Sequence, residues 1–413
     1  VTAAPEPALL LPAEAPGRWR ALALLAGAEL LGMSPWFSAA AVVPAISSEW
    51  HLSSGGAAWL TLAVQLGFVA GTLVSAIGNL PDVFRTRRFI GACAFFAAAS
   101  NALFAVATSG LPLALVLRFA TGFFLAGVYP PAMKVLATWF RRGRGLALGV
   151  LIASLTLGKA VPYLVNAVGT GRWRTDVLWI SILAAAGGLV VLLFVGDGPY
   201  ATPVAPFDPR QMGRVFATRG VRLAAFGYFG HMWELYAMWT WAPIMIRESF
   251  EKTGAPAALA NFAGFLVIGA GAIGCIGAGL VADRVGRTLV TSWAMGISGA
   301  CCLVAGFLFG ASPVLLLAVA IVWGASVVAD SAQFSAAVTE LSDPLYIGTA
   351  LTVQTCVGFL LTNVSIALVS YLSGAVGWGL AFAALAPGPV FGVISMLRLR
   401  ALPEAVRIAQ GRR

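Results

Sequence analysis

The sequence predicts an all-α integral membrane protein in which twelve transmembrane helices form two parallel six-helix bundles. Three observations carry that expectation. Of 413 residues, 60% are hydrophobic and only 10% are charged, with a mean hydropathy of +0.90; a soluble chain carries about 25% charged residues. Twelve apolar runs are long enough to cross a bilayer, which takes about 20 helical residues. A loop pattern recurs at about half the chain length.

In chain order the runs are 20–46, 56–79, 88–108, 111–139, 145–168 and 175–196, then 220–247, 257–282, 289–310, 312–340, 346–371 and 375–397. They are numbered here as spans 1 to 12. A polar stretch rich in proline and arginine, 197–219, separates the two sets of six. The expected organisation is a tail over 1–19, an N-terminal bundle over 20–196, a linker over 197–219, a C-terminal bundle over 220–400 and a second tail over 401–413. The first 18 residues lack a basic segment followed by a short apolar one. No cleaved signal peptide is therefore expected.

The formal net charge is +10, and its placement decides its meaning. Arginines gather in alternate loops: Arg85, Arg87 and Arg88 after span 2; Arg141, Arg142 and Arg144 after span 4; Arg210, Arg214, Arg219 and Arg222 after span 6; Arg284 and Arg287 after span 8. Cationic loops are held on the cytoplasmic side, so both tails and the linker are expected there, in a bacterial inner membrane. The acidic connection between spans 10 and 11, with Glu340 and Asp343, is the exception. No basic-aromatic signature of an RNA binder accompanies the arginines, and no nucleic-acid partner is expected. The five cysteines, Cys93, Cys275, Cys301, Cys302 and Cys356, all lie inside apolar runs. They imply neither a disulfide framework nor a metal site. Phosphate-binding, H-E-x-x-H and G-x-S-x-G motifs are missing. No enzymatic activity and no cofactor are expected, and an ion gradient is left as the energy source.

After span 2 comes GNLPDVFRTRR, from Gly78; after span 8 comes GLVADRVGRT, from Gly279, 201 positions later. Both loops fall on the same predicted side, so the halves run parallel about an axis along the membrane normal. Twelve spans, the six-and-six split and this loop resemble the major facilitator superfamily of secondary transporters, over the whole chain. The second loop matches the family pattern at Gly279, Asp283, Arg284, Gly286 and Arg287. The first keeps Gly78 and Asp82, with Arg87 among the arginines that follow, but has Val83 and Arg85 where the family has arginine and glycine. In the family this loop helps lock one conformational state, so the resemblance implies a gating role for these residues. The stretch ATWFRRGRGLALGV (137–150) resembles a pattern commoner in anion-carrying branches. The arginines of nitrate porters in spans 2 and 8 are missing, and span 5 matches the G-x-x-x-G-P motif of drug–proton antiporters poorly.

A charge at the bilayer centre costs about 2.5–3.5 kcal/mol on insertion scales, so each such residue needs a reason. Glu29 in span 1, Arg118 in span 4, Lys159 in span 5, His231 and Glu234 in span 7 and Asp330 in span 10 are the deep ones. Lys134 and Glu340 lie near span ends, within reach of water. The resemblance implies that spans 1, 4, 7 and 10 surround a central cavity, and these spans hold most of the unusual side chains. Arg118, Lys159, Tyr129, His231, Trp36 and Gln354 are the candidate substrate contacts; Glu234, Asp330 and Glu29 are the candidate proton carriers. Burial raises a carboxyl pKa and a nearby cation lowers it, so a site that changes partners as the halves rock can load and release a proton. The competing reading is static: His–Glu or Asp–Arg pairs that tie helices together, worth about 1 kcal/mol.

Two cavity cations, Arg118 and Lys159, favour a small organic anion or zwitterion, carried by a monomer with H+ as the coupling ion; an arginine fork suits a carboxylate or phosphate. Several acids and tryptophans leave open a proton-coupled exporter of cationic, drug-like molecules. A membrane sensor that keeps the fold without transport is the third reading, and it lacks the large soluble appendage such a role brings.

Overall fold

The computed structural model describes residues 15–140, 143–169, 171–200 and 208–413. Residues 1–14 of the tail, Arg141, Arg142, Thr170 and residues 201–207 of the linker lie outside them. The described residues contain helices and no strand. Eleven helical stretches have the length and hydropathy to cross a membrane: Arg18–Ala41, Ser54–Ile77, Thr86–Ala107, Leu111–Ala137, Gly145–Val168, Trp173–Phe194, Leu259–Val285, Arg287–Leu308, Pro313–Leu341, Pro344–Val376 and Trp378–Arg400. They are spans 1 to 6 and 8 to 12. Span 7 is the continuous helix Arg219–Lys252, about 50 Å long at 1.5 Å per residue. Its hydropathy is low because His231, Glu234 and a run of Trp and Tyr interrupt the aliphatic residues. From Gly230 to Pro243 every residue but Trp233 is buried by protein, so its cover comes from neighbouring helices.

Several spans are broken, and the breaks place the functional groups. Span 1 passes into a 3-10 turn at Ser34–Phe37 around Pro35. Span 4 interrupts at Ala126–Val128, before Pro130 and Pro131, which lack the N–H that would continue the ladder. Span 10 interrupts after Ser326 and resumes at Ser331, with Asp330 at the cap. Ala126 and Val327, which end the first segments of spans 4 and 10, stand 201 positions apart, the offset between the two loop motifs. The halves therefore share an interrupted helix as well as a loop.

Within the N-terminal half, spans 2 and 4 touch at backbone distance. A Cβ on Gly122 would lie 2.0 Å from the Val64 carbonyl oxygen, which only glycine permits. Between the halves, spans 5 and 8 form a long seam of small residues. A Cβ on Gly264 would meet Tyr163 at 3.0 Å, one on Gly271 would meet Thr156 at 2.9 Å, and one on Gly145 would meet the Asp283 carboxylate at 3.0 Å. Gly149 and Gly279 face each other in the same seam. Spans 2 and 11 close the other edge through Phe68 and Phe359, whose ring centroids are 4.6 Å apart. At the end opposite the arginine-rich loops, Ile244 of span 7 packs into the apolar cluster of the N-terminal half. Glu49 there accepts hydrogen bonds from Trp173 (2.7 Å) and Arg174 (2.8 Å), which hold its carboxyl down at about 2.

Candidate functional site

Where spans 1, 2, 5, 7 and 11 converge, a cage of rings surrounds one ammonium. Lys159 of span 5 is 2% exposed. Its Nζ lies 4.1 Å from the ring centroid of Trp36, 4.6 Å from Tyr236 and 5.2 Å from Trp239. It donates a hydrogen bond to the Tyr236 hydroxyl, so the contact joins span 5 of one half to span 7 of the other. Trp36 also meets Phe68 (4.9 Å), Tyr236 (5.6 Å) and Phe359 (5.7 Å) between centroids. The proline break in span 1 turns Trp36 and Phe37 inward, and both are fully buried.

The charge of Lys159 has no carboxylate within 4.0 Å among the described residues. Glu29, one helical stretch back on span 1, is the acid that interacts with it electrostatically. Glu29 Oε1 is itself buried without a hydrogen-bond partner, as are the indole N–H groups of Trp36 and Trp239 and both amide atoms of Gln65 and Gln354. Buried polar atoms are almost always satisfied. Of these, the indole donors of Trp36 and Trp239 belong to rings that stand against Lys159. Tyr129, at the break in span 4, belongs to the same region, within electrostatic range of Glu29, Tyr228 and Cys275.

The other expected residues lie elsewhere. Arg118 is fully buried and all three of its guanidinium nitrogens are engaged. Nη1 donates to Pro35 O (3.1 Å), Ser38 Oγ (3.0 Å) and Asn101 Oδ1 (2.8 Å), Nη2 to Trp36 O (2.6 Å) and Nε to Leu60 O (3.4 Å). Two of the three carbonyls it reaches, Pro35 O and Trp36 O, lie in the 3-10 turn of span 1, and the third, Leu60 O, is on span 2. Asn101 continues the network to Ser181 of span 6 at 2.9 Å. Arg118 thus holds the bend that presents Trp36, and does not itself reach the ring cage.

In span 7 the acid turns into its own bundle. Glu234 accepts from Trp323 Nε1 (2.6 Å) and Ser298 Oγ (2.9 Å), on spans 10 and 9. His231 Nδ1 stands 2.8 Å from Asp330 Oδ1, with both residues 1% exposed, while His231 Nε2 has no partner. The side chains that span 7 offers to the ring cage are Tyr236 and Trp239, neither of them among the expected site residues. Phe37, Phe68 and Phe359 were likewise missed. The signal that finds them is aromatic density on spans 1, 2, 7 and 11 rather than charge.

The loop motifs show how each half is tied at the arginine-rich end. Asp82 pairs with Lys134 of span 4. Arg287 makes a two-pronged contact with Glu340 of span 10 (3.0 and 2.8 Å) and donates to Gln333 (2.6 Å). Gly286 has φ 103°, a conformation that favours glycine, and lies against the carbonyls of Arg412 and Arg413. The 403–413 segment folds back onto this loop: Thr288 Oγ1 donates to Arg413 O (2.9 Å), Ala409 N to Glu340 Oε2 (3.0 Å) and Arg412 to Asp283 O. Gly78 ends span 2 and Gly279 sits in the seam. Arg87 and Arg284 complete the set of expected gating residues, on the first turn of span 3 and the last turn of span 8.

Residues 25–361 match the family model described as Major Facilitator Superfamily. Curated relatives include the MFS-type transporter hasB of Aspergillus fumigatus, 28% identical over 262 residues, covering 57% of this chain and 54% of that protein. The 4-hydroxybenzoate transporter PcaK of Pseudomonas putida is 26% identical over 282 residues, 59% of this chain and 61% of PcaK. A protein of Streptomyces coelicolor named as a probable actinorhodin transporter is 29% identical over 250 residues, 53% and 40% of the two chains. The chain spans about half the length of the curated relatives it matches.

Proposed function

The chain belongs to the major facilitator superfamily, and on that premise we propose that this multi-pass membrane transporter moves a small organic anion with an apolar or aromatic body by alternating access, coupled to protons. Lys159 is the observation that supports the reading. It is a deeply buried cation at the junction of the halves with no carboxylate at ion-pair distance among the described residues, and an uncompensated buried charge is costly. A bound carboxylate supplies the missing charge. The indole N–H groups of Trp36 and Trp239 add donors, and the surrounding rings receive the body of the molecule. PcaK, by its name, carries an aromatic acid of this kind. Arg118 supports the site from behind by fixing the bend before Trp36.

Glu29 is the favoured proton carrier, because it is the acid that shares the electrostatic field of Lys159. A proton on Glu29 would leave Lys159 free for the anion. Asp330 and Glu234 are the other candidates. We place the protein in a bacterial inner membrane as a monomer, with the arginine-rich loops in the cytoplasm.

The test is a thermal-unfolding screen of the detergent-purified protein with benzoate, aliphatic carboxylates and tetraphenylphosphonium at two pH values. A ligand that binds only the folded state adds about 2.7 kcal/mol at a hundredfold excess over Kd. Benzoate is expected to raise the unfolding temperature of the parent by much more than that of Lys159→Ala. Its pH dependence is expected to flatten in Glu29→Gln; persistence there would move the proton to Asp330 or Glu234. A second reading, export of cationic aromatic molecules, draws on the same ring cage and the unpartnered Glu29 oxygen. A shift with tetraphenylphosphonium alone would replace the anion reading by that one.

A further inference from the structure

At the arginine-rich end, the two halves leave a cleft that the Lys159 site does not explain. It encloses about 170 Å³ between Thr72, Asn79 and Asp82 of span 2 and its loop, Lys134 of span 4, and Gly348 and Thr352 of span 11. The Thr72 hydroxyl is buried in the cleft wall without a hydrogen-bond partner. Lys134 and Asp82 form an ion pair whose side chains stay 28% and 25% exposed, so the pair is weak enough to be exchanged. Pro130 and Pro131 give the cleft an apolar wall.

This cleft and the ring cage lie on one line. Thr72, Phe68 and Gln65 follow each other at four and three residues along span 2, and Thr352, Cys356 and Phe359 do so along span 11. Residues at that spacing share a helix face. Phe68 and Phe359, in contact, close the line, and Trp36 touches both of them and Lys159. The chain has three lysines. One stands at the mouth of this route and another at its inner end.

We propose that the cleft is a second binding site for the transported organic anion, a vestibule in which the carboxylate takes the Lys134 ammonium from Asp82 and an acceptor of the ligand meets the Thr72 hydroxyl. The inference rests on the anion reading of Lys159. Lysine presents three donors on a flexible stem, so it can pass from a protein carboxylate to a ligand carboxylate without moving the helix. Occupation of the vestibule then releases Asp82, and with it the loop between spans 2 and 3, before the ligand passes the Phe68–Phe359 pair.

The test uses the full chain in proteoliposomes with Ser75→Cys as a reporter in the cleft wall, labelled by a membrane-impermeant maleimide from the arginine-rich face. The parent chain, whose own cysteines lie within spans, sets the background. The readout is the benzoate concentration that halves the labelling rate. Lys134→Gln is expected to raise it about tenfold and Thr72→Val severalfold, while Asp82→Asn lowers it by removing the competitor. A simple structural latch predicts that Lys134→Gln and Asp82→Asn shift it in the same direction, and that result overturns the vestibule. Lys159→Ala is expected to cut the thermal shift with benzoate to the remainder that the vestibule supplies, which adding Lys134→Gln removes, and to leave the protection of Ser75→Cys. Protection that disappears with Lys159→Ala reports a movement caused by central binding and also overturns the vestibule. A thermal shift that Lys159→Ala leaves undiminished sinks the central anion site instead.

Discussion

Arg118 and Lys159 show that two buried cations of one chain can have opposite assignments. The sequence makes them alike: both are deep, both basic, both expected as cavity cations. Their surroundings separate them. Arg118 spends its guanidinium on carbonyl groups at the bend around Pro35, whereas Lys159 meets only rings and one phenol. Removing Arg118 strands several buried acceptors, each worth about 1–3 kcal/mol. Arg118→Leu is therefore expected to lower the unfolding midpoint far more than Lys159→Ala does, and benzoate is expected to recover little of the loss. Lysine at 118 will not restore it, because a point charge cannot serve three spans at once. An Arg118→Leu protein that melts like the parent yet fails to bind benzoate would return Arg118 to the substrate site.

At the scale of the helix, the positions of the spans were legible because a bilayer demands about 20 apolar residues and little else supplies them. Span 5 begins and ends at the expected residues, 145 and 168, and most others differ by two or three. The breaks were less legible. Those in spans 1 and 4 carry prolines, but the one in span 10 has none and shows only in the structure. The face that span 7 turns to the other half is not legible from charge: the buried acid Glu234 is satisfied by Trp323 and Ser298 inside its own bundle, and uncharged Tyr236 and Trp239 turn outward to Lys159. Hydrogen-bond demand, not function, decides where a buried carboxylate points. Close packing sets a further limit: Gly122→Ala puts a methyl group 2.0 Å from the Val64 carbonyl. Spans 2 and 4 must part, at a cost of about 1–3 kcal/mol, readable as a lower unfolding temperature; an unchanged temperature would mean that the pair is free to slide.

For the molecule as a whole, the two edges between the halves differ. Spans 5 and 8 touch along their length, while spans 2 and 11 touch at Phe68 and Phe359 and leave the cleft beside span 4. Alternating access by rocking requires both edges to part at the arginine-rich end. Gly149→Cys with Gly279→Cys places two thiols across the 5–8 seam, each Cβ position 3.9 Å from the opposite Cα, within reach of a disulfide. Oxidation is expected to stop transport and a reductant to restore it. Transport at the parent rate in the oxidised protein would make the seam a fixed hinge. The ring cage has a consequence of another kind. Trp36 and Trp239 are buried, stand against a single ammonium and leave their indole N–H groups unsatisfied. Indole emission shifts in colour and yield with the polarity and charge beside it, so whatever enters the cage rewrites the light these two residues give back. The transporter carries its own optical probe, and occupancy can be followed in unlabelled protein during a single turnover.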